Sequence, residues 1–144
     1  MNLTSHIQDS VVELEALISQ APQTQLVTEH ALENGMYSRT IFIPAGCVLT
    51  GALHKTDHLN VVVGDILVTT DDGVKRITGH KVLQTKAGQK RAGFALMPTI
   101  WTTICRTEYK SLDDLVKIED ALVEGAQKLQ SRQALVMDEP LKVQ

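Results

Sequence analysis

Between residues 36 and 107 the chain is built from short runs rich in β-branched residues, and turn-forming residues separate these runs. Runs of this length indicate strands, and turn residues such as Pro44-Ala45-Gly46 and Asp71-Asp72-Gly73 indicate tight connections between them. Glycine in the second turn accepts the positive φ that a two-residue hairpin requires. About eight strands therefore predict a mainly β sandwich or small barrel and fit a jelly roll. Strands are predicted at residues 40–43, 48–49, 59–63, 66–70, 74–78, 80–85, 91–97 and 100–106.

Amphipathic helices are predicted on both sides of the strands. In residues 5–20 apolar positions recur at spacings of three and four, and Pro22 then ends the helix. After the strands, Ser111-Leu112-Asp113-Asp114 supplies an N-cap followed by acidic residues in the first turn of a second helix. The last dozen residues lack a period and are predicted to be irregular. We divide this single structural domain into three parts: helix and connecting segment 1–34, barrel 35–108, and helix and tail 109–144.

Composition and charge exclude several classes of protein. The formal net charge is -3, so the chain lacks the basic field that non-specific nucleic-acid binding requires, and no nucleic-acid partner is expected. Cys47 and Cys105 are the two cysteines; they form neither a disulfide framework nor a zinc-finger pattern, and their sparseness suits a reducing cytosol. No apolar run is long enough to span a bilayer, and the N-terminus lacks a signal pattern. We therefore expect a cytoplasmic protein without membrane contact.

Two histidines, His54 and His58, precede a glycine-punctuated pair of strands at the centre of the chain. Strand alternation places both on one face if the strand is continuous, although a turn through Lys55 to Asp57 could intervene. Imidazoles directed into a barrel can ligate a metal, transfer protons or contact a ligand. The structural alternative is that they only form hydrogen bonds at the barrel mouth. Asp57 is the acidic residue best placed to tune an imidazole or to join a metal.

The order of the strands and motifs resembles the cupin double-stranded β-helix over roughly residues 36–106. More narrowly, the chain resembles small cupin-like proteins encoded by tailed bacteriophages, a resemblance that implies a jelly-roll fold and a viral setting but no particular reaction. The motifs that carry the two resemblances are Gly35-Met-Tyr-Ser-Arg39, Ile43-Pro-Ala-Gly46, Leu49-Thr-Gly51, His54-Lys55, His58, Gly64-Asp65-Ile66, Ala87-Gly-Gln-Lys-Arg91 and Trp101-Thr-Thr103.

The chain departs from the pattern of metal-dependent cupins. Such cupins commonly carry an HxH pair with a later Glu, and a second-motif histidine that corresponds here to Arg91. A guanidinium cannot ligate a metal, but its charge and planar fork suit a carboxylate or a phosphate. This favours a ligand-binding barrel. The alternative cofactor is a divalent metal ion held by His54 and His58 with a further ligand such as Asp57 or Cys105.

Several other side chains are candidate contacts for a ligand. Arg39 and Tyr37 share a face of the first strand and could reach the barrel interior, while a structural salt bridge is an equal alternative for Arg39. Trp101 could stack on a planar ligand, although anchoring the core is favoured. Cys105 is favoured as a buried apolar residue. Lys55 and Lys90 are favoured as solvated charges, and Glu29, His30 and His80 as surface residues.

Three hypotheses of function follow. The first is a cupin-like, phage-encoded protein that binds a small polar or anionic molecule through His54, His58 and Arg91. The second is a metal-dependent cupin enzyme of the isomerase, epimerase or oxygenase type. The third is a virion-associated or assembly scaffold protein without catalysis. No nucleophile motif or nucleotide-binding glycine loop is present, so whether the protein is an enzyme stays open. A homodimer is expected from the prevalence of symmetric assemblies.

Overall fold

The computed structural model describes residues 3–123 and 133–136. A helix precedes six strands, a single 3₁₀ turn at Leu112–Asp114 leads into a second helix, and a further strand follows. The helices are α1 Leu3–Ile18 and α2 Leu115–Leu122, and the strands are β1 Val27–Glu33, β2 Met36–Ile43, β3 Cys47–Thr50, β4 His58–Thr70, β5 Gly73–Thr85, β6 Ala92–Arg106 and β7 Gln133–Val136. None of the helices in these ranges is long and apolar enough to cross a membrane.

All strand pairs are antiparallel, and the long strand β6 pairs with three other strands, β2, β3 and β4. Its C-terminal half pairs with β2 on one side and β4 on the other, while its N-terminal half pairs with β3 and with the far end of β4. β1 extends the sheet beyond β2, and β7 extends it beyond β3. β4 and β5 form a hairpin paired from His58↔Thr85 to Thr70↔Gly73. The sheet thereby curls around a single interior.

β4 and β6 bend where Gly64 lies very close to Pro98 and Thr99. Gly64 has a φ of +148°, and a Cβ placed on it would lie 2.5 Å from Thr99 Oγ1 and 2.8 Å from the carbonyl oxygen of Pro98. The β4–β6 register shifts here, between Val63 and Ile66. Proline lacks a ladder N–H, so Pro98 fits at such an irregularity. Glycine is thus needed where the two long strands bend together.

Two groups of apolar residues fill the interior. The barrel cluster is supplied by β2 to β6 and consists of Ile41, Ile43, Cys47, Leu49, Val62, Ile66, Val68, Ile77 and Ala95. The helix cluster lies where α2 packs on the far end of β2 and β6, and consists of Tyr37, Ala52, Cys105, Ile118, Leu122 and Val123. On α1, Glu15 Oε2 accepts hydrogen bonds from Lys90 Nζ at 2.7 Å and from Thr50 Oγ1 at 2.9 Å. Both helices therefore contact the barrel.

The structure corrects several predicted boundaries. Residues 27–33, predicted as part of a connecting segment, form β1, whose turn to β2 uses positive φ at Asn34 and Gly35. Six predicted strands merge into β4, β5 and β6, because Gly64, Gly79 and Pro98 bend these strands without ending them. Residues 133–136, predicted as irregular, pair with β3. The predicted tail beyond residue 136 lies outside the described residues.

Candidate ligand-binding cavity

A cavity opens on the inner face of the barrel, and about 660 Å³ of space free of protein atoms lies within it and its open mouth. Its apolar lining includes Ile41, Ile43, Leu49, Ile66 and Val68. Its polar lining comprises Arg39, His54, His58, Asn60, Thr85, Gln89, Arg91, Thr103 and the indole of Trp101. The cavity therefore combines an aliphatic wall with a cluster of polar groups.

The structure brings His54 and His58 together, with ring centroids 4.2 Å apart and planes tilted by 35°. His58 is the first residue of β4, whereas His54 lies in the preceding loop. Backbone contacts hold that loop in place. His54 forms an isolated antiparallel β-bridge with Val123. The backbone N–H of Lys55 donates to the carbonyl of Leu122, and that of Gly88 donates to the carbonyl of His54. The turn between the histidines, rather than strand alternation, makes the two rings converge.

The hydrogen bonds of the two imidazoles fix their protonation. Nδ1 of His54 lies 3.2 Å from the carbonyl oxygen of Ala52, and Nδ1 of His58 lies 3.0 Å from that of Thr56. A carbonyl oxygen can only accept, so each Nδ1 carries the proton and donates it. Burial lowers the pKa of His54 to about 4, with the neighbouring His58 adding to the effect, and burial also lowers the pKa of His58. Both rings are therefore neutral near pH 7, and Nε2 is the acceptor atom of each.

Arg91 is a guanidinium in the cavity wall without a carboxylate partner among the described residues. Its Nη1 donates to the carbonyl oxygen of Thr69 at 2.8 Å, and its Nη2 donates to Thr85 Oγ1 at 3.2 Å. Its Nε is sealed from solvent and makes no hydrogen bond. Burial lowers the pKa of Arg91, and the charge of Asp71 opposes this shift. An arginine side chain stays charged in proteins, so the cavity wall carries a cation bonded only to neutral groups.

A network around Asn60 holds the polar groups of the cavity in place. Asn60 is 2% exposed, and its Oδ1 accepts from Trp101 Nε1 at 3.1 Å and from Thr103 Oγ1 at 2.9 Å. Its Nδ2 donates at 2.7 Å to Thr85 Oγ1, the same oxygen that accepts from Arg91. Sequence reasoning missed Asn60, although a signal existed, because Asn60 is two residues beyond His58 and so shares its face of β4.

Arg39 also lines the cavity, but a carboxylate neutralises it. Its Nη1 lies 3.2 Å from Oε1 of Glu119 on α2, and the two side chains are 10% and 4% exposed. Burial raises the pKa of Glu119, while Arg39 acts to lower it. Both alternatives considered for Arg39 hold, since this residue lines the cavity and forms a structural salt bridge. Sequence reasoning missed Glu119, which no short motif singles out.

Three other predicted site residues are not part of the cavity lining. Tyr37 belongs to the helix cluster, where its hydroxyl lies 2.7 Å from Nδ1 of His30; burial raises the pKa of Tyr37. Cys105 lies in the same cluster, and burial raises the pKa of its thiol to about 11. Asp57 points outward: its side chain is 64% exposed, and its carboxylate accepts from the backbone N–H of Ala87. None of these three lines the cavity.

The remaining candidates have structural contacts. Trp101 packs against the barrel cluster and also lines the cavity. Lys90 forms the ion pair with Glu15 on α1, and the Nζ of Lys55 donates to the carbonyl oxygen of Asp120 at 2.8 Å. Contrary to the surface prediction, His30 lies partly buried in β1, where its ring stacks on that of Tyr37.

The side chains present do not fit a protein-held metal ion. Of the four candidate ligands, the structure brings together His54 and His58, while Asp57 and Cys105 lie elsewhere. Within residues 3–123 and 133–136, no group of three or more His, Cys, Asp or Glu side chains is arranged to hold a metal. A metal site with protein ligands commonly uses three or four, so two imidazoles leave the set incomplete.

Comparison with solved structures supports the fold. Ectoine synthase from P. lautus superposes with a TM-score of 0.53 at 12% identity, covering 85% of this chain and 84% of that one. A cupin superfamily protein from Desulfitobacterium hafniense superposes at 0.49 and 18% identity, covering 64% and 88% of the two chains. A cupin-2 domain containing protein from Shewanella frigidimarina superposes at 0.47 and 14% identity, covering 70% and 99%. No protein-family model and no curated protein sequence matches the chain.

The class of fold follows from these observations. The prediction of a mainly β, cupin-like jelly roll with one helix before the barrel and one after it is confirmed by the order of the elements and by the superposition on ectoine synthase. At this level of identity the comparison speaks for the fold alone, and function has to be argued from the cavity.

Proposed function

We propose that the cavity binds a small molecule with an anionic group, and that Arg91 holds this group. The observation that carries the proposal is the partly buried guanidinium of Arg91, which has no carboxylate partner among the described residues. Burial disfavours this charge by more than the charge of Asp71 compensates, and an anion in the cavity would offset the difference. Arg39 does not lack a counterion in this way, because Glu119 already supplies one.

The remaining donor capacity of Arg91 suits such a group. A guanidinium has five N–H groups, and Arg91 uses two of them in hydrogen bonds to Thr69 and Thr85. Since Nε is sealed in the wall, an anion would meet the Nη groups. Carboxylates and phosphates match the planar arrangement of these groups. The bonds to Thr69 and Thr85 hold the guanidinium in one orientation before a ligand arrives, which reduces the entropy lost on binding.

The test is a thermal unfolding screen of the purified protein with acetate, butanoate, phosphate, sulfate and citrate. Wild type is compared with Arg91→Gln and with Arg76→Gln. Arg76 is a matched control, because it lies on β5 and is already paired with Asp65 outside the cavity. At a ligand concentration of about 100 Kd, binding stabilises a protein by about 2.7 kcal/mol, which raises the Tm by several degrees. We expect this rise for wild type and Arg76→Gln only. Equal responses of all three proteins would contradict the proposal.

We also propose that the chain forms a homodimer through the outer face of the β1-β2-β6-β4-β5 sheet. Strand alternation and the register place a group of apolar residues on this face, among them Val27, Phe42, Leu59, Val61, Val63, Val82, Ile100 and Ile104. Five of these are substantially exposed: Val27 66%, Leu59 42%, Val63 43%, Val82 50% and Ile100 40%. A contiguous exposed apolar face of this kind is typical of interaction sites.

The charges at the edges of this face favour a second copy as its partner. Glu29 lies on the outer strand β1 and His80 on the outer strand β5. Face-to-face packing about a two-fold axis parallel to the strands places β1 of one copy over β5 of the other, and so brings carboxylate and imidazole together. Light scattering should report a dimer for wild type and a monomer for Val63→Lys. Val116→Lys, at an exposed position on α2, is the control and should stay dimeric. A monomeric wild type would contradict the proposal.

A further inference from the structure

We propose that the anionic ligand is a hydroxy acid, whose hydroxyl group donates to Nε2 of His58 while its carboxylate lies at Arg91. This inference rests on the proposed function and deepens it, because it names the chemical class of the ligand. It depends on which polar atoms of the cavity are already bonded and which are left to a ligand.

The histidine pair presents acceptors to the cavity. In each ring Nδ1 donates to a backbone carbonyl, so Nε2 carries a lone pair and no proton. Neither Nε2 has a hydrogen-bond partner among the described residues, and neither is sealed from solvent. With the ring centroids 4.2 Å apart, the two acceptors belong to one patch of the cavity wall. A ligand satisfies such a patch only with a hydrogen-bond donor.

Most other polar atoms of the cavity are already bonded within the protein. Trp101 Nε1 and Thr103 Oγ1 both donate to Asn60, and the amide of Asn60 donates to Thr85. The side-chain amide of Gln89 donates to Asp71. Besides the hydroxyl of Thr85, whose oxygen already accepts two hydrogen bonds, the cavity therefore offers a ligand a cation at Arg91 and an acceptor pair at the histidines.

These two groups are close enough to contact a single small molecule. His58 and Thr85 are directly paired across β4 and β5. Arg91 donates to Oγ1 of the same Thr85, at 3.2 Å. The charge of Arg91 also acts to lower the pKa of His58, as expected for neighbours. Thr85 is therefore a neighbour of both Arg91 and the histidine pair.

The electrostatic surroundings favour a neutral hydroxyl over an ammonium group as the donor. Burial is the main cause that lowers the pKa of both rings. The charges of Arg39 and Lys90 add to it at His54 and that of Arg91 at His58, where Asp57 acts in the opposite direction. A ligand ammonium would meet the same burial and the same cations. A hydroxyl donates a hydrogen bond without bringing charge. The aliphatic wall formed by Ile41, Ile43, Leu49, Ile66 and Val68 suits the hydrocarbon part of a short hydroxy acid.

The test compares four-carbon acids that differ at one position: butanoate, 2-hydroxybutanoate, 3-hydroxybutanoate and 4-aminobutanoate. Affinities are measured by calorimetry on the full-length protein. We expect at least one hydroxy acid to bind about three- to tenfold more tightly than butanoate, the gain from one hydrogen bond. 4-Aminobutanoate should bind more weakly than that hydroxy acid. In His58→Phe, which keeps a ring but removes the acceptor, the preference should disappear while butanoate affinity is retained. Arg76→Gln, which lies outside the cavity, is the control.

A second measurement does not depend on a variant that folds. In ¹⁵N–¹H spectra that correlate ring nitrogens with ring protons, His54 and His58 of wild type should show protonated Nδ1 and bare Nε2. The hydroxy acid should shift the Nε2 signal of His58, and butanoate should not. Equal affinity for butanoate and both hydroxy acids would overturn this inference and leave the proposed function standing. Tighter binding of 4-aminobutanoate than of the hydroxy acids would have the same consequence. If no acid binds, the proposed function fails and this inference fails with it.

Discussion

Arg39 on β2 and Glu119 on α2 form a buried ion pair, 3.2 Å from Nη1 to Oε1, although 80 positions separate them in the chain. Because Arg39 also lines the cavity, this pair ties the second helix to the cavity wall. It also distinguishes the two arginines of the cavity, since Arg39 has a carboxylate partner and the described residues supply none to Arg91.

Replacing Glu119 with glutamine should destabilise the fold. The substitution leaves the charge of Arg39 buried without its counterion, and removing one partner of such a pair typically reduces the free energy of unfolding by about 3–5 kcal/mol. Urea denaturation followed by circular dichroism measures this loss. Lys117→Gln, which removes an exposed ion pair on the same helix, is the control and should leave the urea midpoint nearly unchanged. Equal midpoints for Glu119→Gln and wild type would show that the ion pair does not stabilise the fold.

Stability should fall as the pH is lowered from about 6.5 toward 4. The pKa of His54 in the folded state is about 4, whereas in the unfolded chain it is near 6.5. Between these values the unfolded state binds the proton and the folded state does not, so acid favours unfolding, by on the order of 2–3 kcal/mol for this group. Burial raises the pKa of Glu119, which acts in the opposite direction. His54→Gln should therefore flatten the dependence measured by urea denaturation, and an unchanged slope would contradict the assignment.

Alanine at Gly64 should be far more disruptive than alanine at Gly73. Both glycines have positive φ, but a Cβ at Gly64 would lie 2.7 Å from the Cα of Thr99, whereas at Gly73 it would meet nothing within 4 Å. Backbone strain is common to both substitutions, so the difference between them measures the clash at the bend. We expect Gly64→Ala to reduce the free energy of unfolding by roughly 3 kcal/mol or more, and Gly73→Ala by clearly less. Similar urea midpoints for the two variants would mean that the backbones at Gly64 and Thr99 can move apart with little loss of stability.

Protein purified without added metal should contain less than stoichiometric divalent metal. His54 and His58 provide two ligands, and no third His, Cys, Asp or Glu within the described residues completes the set. Elemental analysis by mass spectrometry on tag-free protein, beside His54→Ala and His58→Ala, checks this expectation. One equivalent of metal in wild type that both variants lose would instead favour the metal-dependent enzyme.

Local sequence patterns predicted most of the secondary structure and part of the site. Alternating β-branched residues and helical periodicity indicated a mainly β barrel between two helices, and His54 and His58, ahead of the predicted strand 59–63, were candidates to face the barrel interior. The pattern failed at Gly64, Gly79 and Pro98, which looked like strand ends. In a curled sheet such residues bend long strands, because a neighbouring strand continues the ladder on each side of the irregularity.

What the sequence by itself determined is therefore the set of elements and the faces of the strands, since both depend on residues only a few positions apart. The tertiary structure decided which charges are paired. It brought Glu119 to Arg39, Glu15 to Lys90 and no carboxylate of the described residues to Arg91. It also turned Asp57 outward and gave each imidazole a backbone carbonyl that fixes its proton. Burial and long-range contacts set these properties, so no local spacing reveals them.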